Sequence, residues 1–276
     1  HTVGLIHIIN SMSRDELIGR IRNFEPDLIG FSTISQIFPY VRTYAKWIKE
    51  EFDIPVIVGG AHPSLNPDQT LSAEEVDMIC LGEGELSLLE LCNNIDQGGP
   101  IDKIPSLWAK KDGEIQKNPI RPLVENLDDL PPPDRSLFDM TSMHCYAKKR
   151  YPFATIKAAR GCFYSCTYCS NTKFNALYPN RKKIVRFHSV DRVIDDAKEI
   201  MRLLPGLKFF VFHDDILPAD KAWFKEFAYK YQREIGIPYR CKTRVELMDE
   251  EYAQLLKESG CFRIQFGLES GNPEML

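Results

Sequence analysis

The chain has 276 residues, a length that corresponds to nearly two domains of about 150 residues each. Its 35 Lys and Arg residues against 39 Asp and Glu residues give a net charge of −4, which argues against a nucleic-acid partner because such proteins carry a basic domain or stripe. A hydrophobic content of 43% indicates a folded globular protein, and no signal-peptide pattern or apolar run near the ~18 residues of a membrane span is found.

The first half of the chain alternates short apolar runs with amphipathic segments. The predicted strands are residues 3–9, 27–32, 54–58 and 76–81. The predicted helices are residues 13–24, 40–52 and 86–95. Ser13 with Glu16 three residues later has the spacing of a capping box at the start of the first helix. This alternation predicts an α/β domain with a doubly wound parallel sheet that is covered on both faces.

Three of these strands end in loops that are polar or rich in glycine. Because ligands of open α/β sheets bind at the carboxyl ends of the strands, the loops form a candidate binding site. Its candidate residues are Ser32, Thr33 and Ser35 in the first loop, Gly59, Gly60 and His62 in the second, and Gly82 and Glu83 in the third. Glycine also suits tight turns with positive φ, and a single loop histidine is often only solvated, so a structural role stays open.

A hairpin and a proline-rich segment follow. Asp112–Gly113, between runs at 107–111 and 114–117, is a strong hairpin turn signal. Residues 119–150 include three consecutive prolines at 131–133 and are predicted to form a linker along the surface. The expected organisation is a first domain at 1–118, a linker at 119–150 and a second domain at 151–276.

The second half repeats a strand–helix pattern. The predicted strands are residues 153–159, 208–212, 239–243 and 261–266, and the predicted helices are 191–203, 221–235 and 249–259. Polar residues follow the ends of these strands, where barrel enzymes place their sites.

Three of the eight cysteines, Cys162, Cys166 and Cys169, crowd into a C-x3-C-x2-C spacing directly after the first of these strands. Thiolates at such offsets can converge on zinc or on an iron–sulfur cluster. A structural zinc site needs four ligands, and no fourth Cys or His lies within ten residues on either side. Three thiolates on a 4Fe–4S cluster would leave one iron open to a ligand. The five scattered cysteines are interpreted as thiols in a reducing compartment.

This motif, with Tyr168 directly before the third cysteine, resembles that of the radical S-adenosylmethionine superfamily. The resemblance implies that the three cysteines hold a 4Fe–4S cluster whose open iron binds S-adenosylmethionine, and that an electron cleaves it to a 5′-deoxyadenosyl radical. It also implies that the strands predicted in the second half form part of a (β/α) barrel. The residues implied to contact S-adenosylmethionine are Tyr168, Asp214, Asp215, Arg244 and Glu269. At the second strand this chain departs from the family, because His213-Asp214-Asp215 stands where Gly-Gly-Glu is usual.

The first half resembles the cobalamin-binding domain that is fused to one large radical-enzyme subfamily. The resemblance is carried by residues 26–32, 58–63, 82–85 and 127–134. It implies cobalamin over the three loops, but the chain lacks the Asp-x-His-x-x-Gly signature, so no histidine of that motif is implied as a cobalt ligand. Compared with the family, a first sheet strand and the last barrel strands are missing, which predicts that the chain is truncated at both ends.

The implied activity is methyl transfer to an unactivated carbon or phosphorus centre. In the family one S-adenosylmethionine methylates cobalamin, and a second generates the radical through which the substrate acquires the methyl group. Radical cyclisation or rearrangement without net methylation stays open, as does a non-catalytic cobalamin or iron–sulfur sensor. The expected partners are a small-molecule substrate and a flavodoxin-type reductase that donates electrons, with neither nucleic acid nor a membrane span. The expected location is the cytoplasm.

Overall fold

The computed structural model describes residues 1–9, 11–139, 145–146, 149–150, 152–179, 184–217, 220–272 and 274. The chain divides into two compact units, the first formed by residues 1–123 and 165–181 and the second by 124–164 and 182–276. Residues 165–181 therefore fold with the first unit, although they belong to the second half of the sequence. The domain bounds predicted from the sequence stay a prediction.

The first unit is built on a five-stranded sheet whose spatial order follows the chain order. Its strands are β1 (Ile29–Ser32), β2 (Val56–Gly59), β3 (Met78–Cys80), β4 (Leu107–Lys111) and β5 (Glu114–Lys117). The first three strands are parallel, and the β4–β5 hairpin extends the sheet in antiparallel fashion. Asp112 and Gly113 have φ values of 52° and 83°, as a two-residue hairpin turn with two positive φ angles requires. The predicted hairpin is confirmed.

Helices cover both faces of this sheet, as predicted. The helices of the first unit are α1 (Arg14–Phe24), α2 (Phe38–Glu51), α3 (Ala61–Leu65), α4 (Pro67–Leu71), α5 (Glu85–Gln97) and α6 (Ser170–Ala176). Successive residues of a strand point to opposite faces, so Val56 and Val58 pack in one core cluster with Ile48 of α2. Ile57 packs in a second cluster with Leu91 of α5. The predicted capping box is present at least in its first half, because the Ser13 side chain accepts the N–H of Glu16.

The predicted first strand, residues 3–9, is wrong. Val3 and Leu5 are exposed, whereas Ile6 and Ile8 pack against the core cluster of α1 and α2. The segment thus has the period-two burial of a strand, but it pairs with no described strand of the sheet. Since a strand is stabilised by its ladder of hydrogen bonds to a neighbour, an apolar run alone does not produce one. The described sheet has three parallel strands where the sequence predicted four.

Four of the strands described in the second unit form a parallel sheet, and the others form two short antiparallel pairs. The strands of this unit are β6 (Cys145–Tyr146), β7 (Lys149–Arg150), β8 (Phe153–Ile156), β9 (Ala159–Arg160), β10 (Arg186–Phe187), β11 (Phe209–Phe212), β12 (Tyr239–Lys242) and β13 (Cys261–Gln265). Its helices are α7 (Val190–Leu203), α8 (Lys221–Glu234) and α9 (Glu250–Glu258). The parallel sheet has the order β13–β12–β11–β8, while β9 and β10 pair separately. The predicted strand–helix repeat of a partial barrel is confirmed.

Aromatic side chains fix the strands of the second unit to its helices. The Phe212 ring lies 5.3 Å from that of Phe227 and 5.1 Å from that of Tyr239, in edge-on geometry. The buried Tyr239 hydroxyl is hydrogen-bonded to Ser259 at 2.7 Å, so its polar end is satisfied. One face of β11 and β12 therefore packs against the helices, and the alternate residues of these strands face away from them. No helix in the described part of the chain is long and apolar enough to cross a bilayer.

Candidate functional site

In the first unit, the three predicted loops are bonded to one another at the carboxyl ends of β1, β2 and β3. The N–H of Thr33 donates to the carbonyl of Gly59 at 3.0 Å, and the carbonyl of Thr33 accepts the N–H of His62 at 3.1 Å. The buried hydroxyl of Ser64 accepts the N–H of Gly82 at 2.9 Å, which joins the second loop to the third. Ser64 lies in the predicted second loop, but the sequence did not single it out as a contact residue. The loops thus form one connected platform.

His62 faces the protein interior. The predicted loop after β2 is in fact the short helix α3, and His62 is only 4% exposed, with its ring 4.1 Å from that of Phe38. Its Nδ1 lies 3.0 Å from the hydroxyl of Ser35, while its buried Nε2 has no partner among the described residues. Burial lowers the pKa of His62, so the ring is neutral at neutral pH. The alternative of a merely solvated histidine is wrong.

Two predicted loop glycines are required by the local geometry. Gly60 has a φ of 94°, and a Cβ at that position would stand 2.7 Å from the carbonyl oxygen of Thr33. Gly82 has a φ of 71°, and a Cβ there would collide with the hydroxyl of Tyr178. Gly59 meets only an ordinary van der Waals neighbour at 3.9 Å. The absence of a side chain at Gly60 and Gly82 therefore lets these loops approach Thr33 and Tyr178 closely.

Tyr178 connects these loops to the cysteine segment. Its hydroxyl accepts the N–H of Glu83 at 3.3 Å, and α6 packs against α3 within the same compact unit. The bonded residues are 95 positions apart, so no local pattern could predict this contact. As a result, Cys166 and Cys169 fold in the same unit as the three predicted cobalamin loops.

The cysteine segment forms a tight turn before α6. The N–H of Cys169 and the hydroxyl of Thr172 donate to the carbonyl of Cys166, at 3.0 Å and 2.7 Å. Cys166 and Cys169 are half-buried, Cys162 is buried in the second unit, and none of the three is in a disulfide. Among the described residues, no group of three His, Cys, Asp or Glu side chains is close enough to hold a metal ion. The donor type nevertheless fits an iron–sulfur cluster, which takes cysteine thiolates.

Asp214 is buried in the second unit, where it holds the chain that leads to Cys162. One carboxylate oxygen, Oδ1, accepts the N–H groups of Ala158 and Ala159 at 2.9 Å and 2.6 Å. The other, Oδ2, is buried without a partner among the described residues, and the residue is 1% exposed. Burial raises the pKa of Asp214 to about 6. Asp214, which the sequence predicts as a contact of S-adenosylmethionine, thus holds the backbone just before the cysteine motif through hydrogen bonds.

The other predicted contacts of S-adenosylmethionine are more accessible. The Arg244 guanidinium lies 4.1 Å from the centre of the Tyr164 ring and 3.1 Å from a carboxylate oxygen of Glu246. Asp215 and Glu269 are exposed, and Tyr168 is 66% exposed. In the first unit, Ser32 is exposed at the end of β1. A ligand can reach these side chains without displacing the core.

Comparison with known proteins assigns both halves of the chain. Residues 3–92 match the model of the B12 binding domain, and residues 156–276 match that of the radical SAM superfamily. The chain therefore contains a B12 binding domain and a radical SAM domain. The first match contains the three connected loops, and the second begins at the last residue of β8 and contains the three cysteines and the parallel strands β11, β12 and β13. The predicted family and fold class are confirmed.

Individual relatives align over almost the whole chain. It is 29% identical to the uncharacterized methyltransferase PH0819 of Pyrococcus horikoshii, over 98% of this chain and 58% of that protein. It is 28% identical to the anaerobic magnesium-protoporphyrin IX monomethyl ester cyclase of Rubrivivax gelatinosus, over 95% of this chain and 47% of that protein. The radical S-adenosylmethionine methyltransferase TsrM of Kitasatospora setae has a similar fold, with a TM-score of 0.73 at 19% identity, over 95% of this chain and 52% of TsrM.

The chain thus spans about half the length of these relatives. Its two domain types imply cobalamin, S-adenosylmethionine and a 4Fe–4S cluster as cofactors. The residues present fit the 4Fe–4S cluster and cobalamin, the two cofactors that the protein itself would hold. The second domain brings three thiols outside any disulfide, and the first brings three connected loops next to the buried Nε2 of His62, which has no partner among the described residues.

The contact between Gly82 and Tyr178 gives a testable expectation for the platform. We expect both Gly82→Ala and Gly98→Ala to lower the free energy of unfolding, and Gly82→Ala to lower it more. In Gly98→Ala the positive φ alone costs about 1 kcal/mol. Gly98 has a φ of 66°, and a methyl group added there would meet no atom within 4 Å, so it carries the same backbone strain without a collision. Denaturant unfolding of the two variants measures the difference. Equal losses would show that the Tyr178 hydroxyl does not constrain this loop.

Proposed function

We propose that this chain is the cofactor-binding part of a cobalamin-dependent radical S-adenosylmethionine methyltransferase, which methylates an unactivated carbon or phosphorus centre of a small molecule. The observation that carries this proposal is the joining of the loop platform to the Cys166–Cys169 segment through Tyr178 and Glu83 in one compact unit. When bound, the cluster would supply the electron that cleaves S-adenosylmethionine, and cobalamin would supply the methyl group.

Each group would be held by residues with a distinct role. Cys162, Cys166 and Cys169 would be the cluster ligands. For S-adenosylmethionine the proposed contacts are Tyr168, Asp215, Arg244 and Glu269, with Asp214 holding the strand end behind them. The proposed cobalamin platform consists of Ser32, Thr33, Ser35, Gly59, Gly60, His62, Gly82 and Glu83. In this platform Thr33 and His62 act through the hydrogen bonds that connect the loops, while Gly60 and Gly82 allow the close approach of Thr33 and Tyr178.

A second function, radical cyclisation without net methylation, is favoured by the similarity to the magnesium-protoporphyrin ester cyclase. The two functions differ in the fate of the methyl group of S-adenosylmethionine. The test is an anaerobic incubation of the reconstituted protein with a metabolite extract, a reductant and S-adenosylmethionine that carries a deuterated methyl group. A product that has gained the deuterated methyl group supports methyl transfer. Products without the label, formed together with 5′-deoxyadenosine, would support the cyclase alternative.

We also propose that the protein works in the cytoplasm with a flavodoxin-type reductase as its electron donor. The supporting observation is that the seven cysteines other than Cys145 are free thiols, as is usual in reducing compartments. The net charge of −4 favours a small-molecule substrate over nucleic acid. Replacement of the chemical reductant by a purified flavodoxin and its reductase tests the donor, and absence of turnover with this pair would contradict it.

A further inference from the structure

Two cysteines outside the C-x3-C-x2-C motif lie side by side in the second unit. Cys241 is the third residue of β12 and Cys261 is the first residue of β13, and their sulfur atoms are 3.9 Å apart. Both are free thiols. The sequence treats them as scattered cysteines, because residues 20 positions apart form no local motif. The fold therefore creates a pair of thiols that the proposed cluster does not use.

An irregularity in the parallel sheet places both side chains on the same face. Tyr239 lies opposite Cys261, whereas the next residue of β12 lies opposite Arg263, so Phe262 is an extra residue on β13. Because side chains alternate along a strand, Cys241 shares the face of Tyr239, and both pack in the core with the helices. Cys261 packs against the same core. The two thiols therefore meet on the helix side of the sheet.

The two thiols differ in access and in acidity. Cys241 is 2% exposed, whereas Cys261 is half-buried. The Cys261 sulfur also lies 3.4 Å from the carbonyl oxygen of Arg263, which accepts its proton, so the Cys241 thiol is the donor between the two sulfurs. This hydrogen bond from Cys241 lowers the pKa of Cys261. Since the thiolate is the reactive form, a small oxidant attacks Cys261 first.

The two sulfur atoms are neighbours but are not at bonding distance. A disulfide has an S–S length of about 2.0 Å, so the atoms must approach each other by about 1.9 Å. The strands β12 and β13 are hydrogen-bonded to each other, which limits how far they can shift. A disulfide formed against such a constraint is strained and is therefore easily reduced again. The geometry favours a reversible bond over a permanent structural one.

We propose that Cys241 and Cys261 form a site of reversible oxidation, at which hydrogen peroxide converts the two thiols into a disulfide between β12 and β13. The modification goes beyond the proposed methyl transfer and does not depend on it, because neither cysteine belongs to the cluster motif.

The oxidation takes place in two steps. The Cys261 thiolate attacks one oxygen of hydrogen peroxide, the O–O bond breaks, and the hydroxide that leaves takes up the former thiol proton to form water. Cys261 then carries a sulfenic acid. The Cys241 sulfur attacks the Cys261 sulfur, the S–S bond forms, and the S–O bond breaks as the hydroxyl leaves with the Cys241 proton as a second water. Each sulfur gives up one electron, and a dithiol reductant reverses the reaction by exchange.

Peptide mapping of the full chain tests the proposal. The reduced protein is treated with hydrogen peroxide, its remaining thiols are blocked with N-ethylmaleimide, and its tryptic peptides are identified by mass spectrometry. Cleavage after lysine and arginine releases residues 241–242 and 258–263, which we expect to find joined by a bond that dithiothreitol breaks. The three motif cysteines lie together on residues 161–173, so their oxidation gives a different product. Cys92, likewise half-buried, is the internal control and should be recovered with N-ethylmaleimide attached.

Variants separate the roles of the two thiols. Cys241→Ser should lose the linked peptide and leave Cys261 as a sulfenic acid, which dimedone traps. Cys261→Ser should lose the linked peptide without a dimedone adduct at Cys241, because Cys241 is buried. Cys92→Ser should form as much linked peptide as the unaltered chain. Far-ultraviolet circular dichroism verifies that each variant is folded.

Absence of the linked peptide from the folded, oxidised chain would overturn the proposal, and this measurement needs no variant. An equal yield from chain that is oxidised in denaturant would also overturn it, because the fold would then not be what brings Cys241 and Cys261 together.

Discussion

Replacement of Cys166 by alanine is expected to abolish the loading of a 4Fe–4S cluster. Cys162, Cys166 and Cys169 are the proposed ligands, and a cluster left with two thiolates would have two irons without a protein ligand. The Cys166 side chain is half-buried, and its carbonyl keeps the hydrogen bonds from Cys169 and Thr172 after the substitution. We therefore expect the fold to persist while iron and sulfide content, measured after anaerobic reconstitution, fall to background.

The matched control for this variant is Cys92→Ala. Cys92 is also a half-buried cysteine of the first unit, but it lies on α5, away from the C-x3-C-x2-C motif. Burial raises the pKa of its thiol, which disfavours the thiolate that a metal requires. Cys92→Ala should load as much iron as the unaltered chain. Unchanged iron content in Cys166→Ala would refute the assignment of this cysteine as a ligand.

Substitution of Asp214 is expected to separate its hydrogen-bonding role from its charge. In Asp214→Ala the N–H groups of Ala158 and Ala159 lose their acceptor inside the protein. Because each unpaired buried donor costs about 1–3 kcal/mol, we expect a loss of at least about 2 kcal/mol in the free energy of unfolding. Asp214→Asn keeps an acceptor oxygen and should retain most of the stability. Chemical denaturation at pH 8 measures both variants.

The pH dependence follows from the raised pKa of Asp214. The pKa rises from 3.8 to about 6 because the carboxylate is buried, so the folded state binds a proton more readily than the unfolded state. Protonation of Asp214 stabilises the folded state fully below pH 4, and this stabilisation is lost as the pH rises through about 6. The stability lost over this range is about 3 kcal/mol, because a tenfold difference in proton affinity between the two states corresponds to about 1.4 kcal/mol.

Asp214→Asn removes this dependence, so its stability relative to the unaltered chain should improve between pH 4 and pH 8. If Asp214→Asn is as destabilised as Asp214→Ala at pH 8, the carboxylate charge, and not its acceptor geometry, holds the Ala158–Ala159 backbone.

Local sequence patterns were sufficient for most of the secondary structure. Ser13 marks the beginning of α1, Asp112–Gly113 marks the hairpin turn, and the apolar runs of the second half coincide with β8, β11, β12 and β13. The strand predicted at residues 3–9 is wrong because a strand also depends on a hydrogen-bonded neighbour, which an apolar run does not specify.

The candidate site was less predictable, because it depends on contacts between distant positions. The bond from Glu83 to Tyr178 joins residues 95 positions apart, and the role of Ser64 depends on the approach of the loop that contains Gly82. The burial of Asp214 could have been predicted from the sequence. Asp214 continues the period-two series of Phe210 and Phe212, which are buried, and this places its side chain on the inner face of the strand end. The assignment of individual cofactor contacts stays a prediction.

The decisive measurement is the anaerobic release of 5′-deoxyadenosine from S-adenosylmethionine after reduction, compared between the unaltered protein and Cys166→Ala at equal protein concentration. A radical S-adenosylmethionine enzyme that uses Cys162, Cys166 and Cys169 as cluster ligands should release it, and Cys166→Ala should not. Protein that holds its cluster and cobalamin yet releases no 5′-deoxyadenosine with any reductant would contradict the radical mechanism, and equal release by Cys166→Ala would contradict the cluster site.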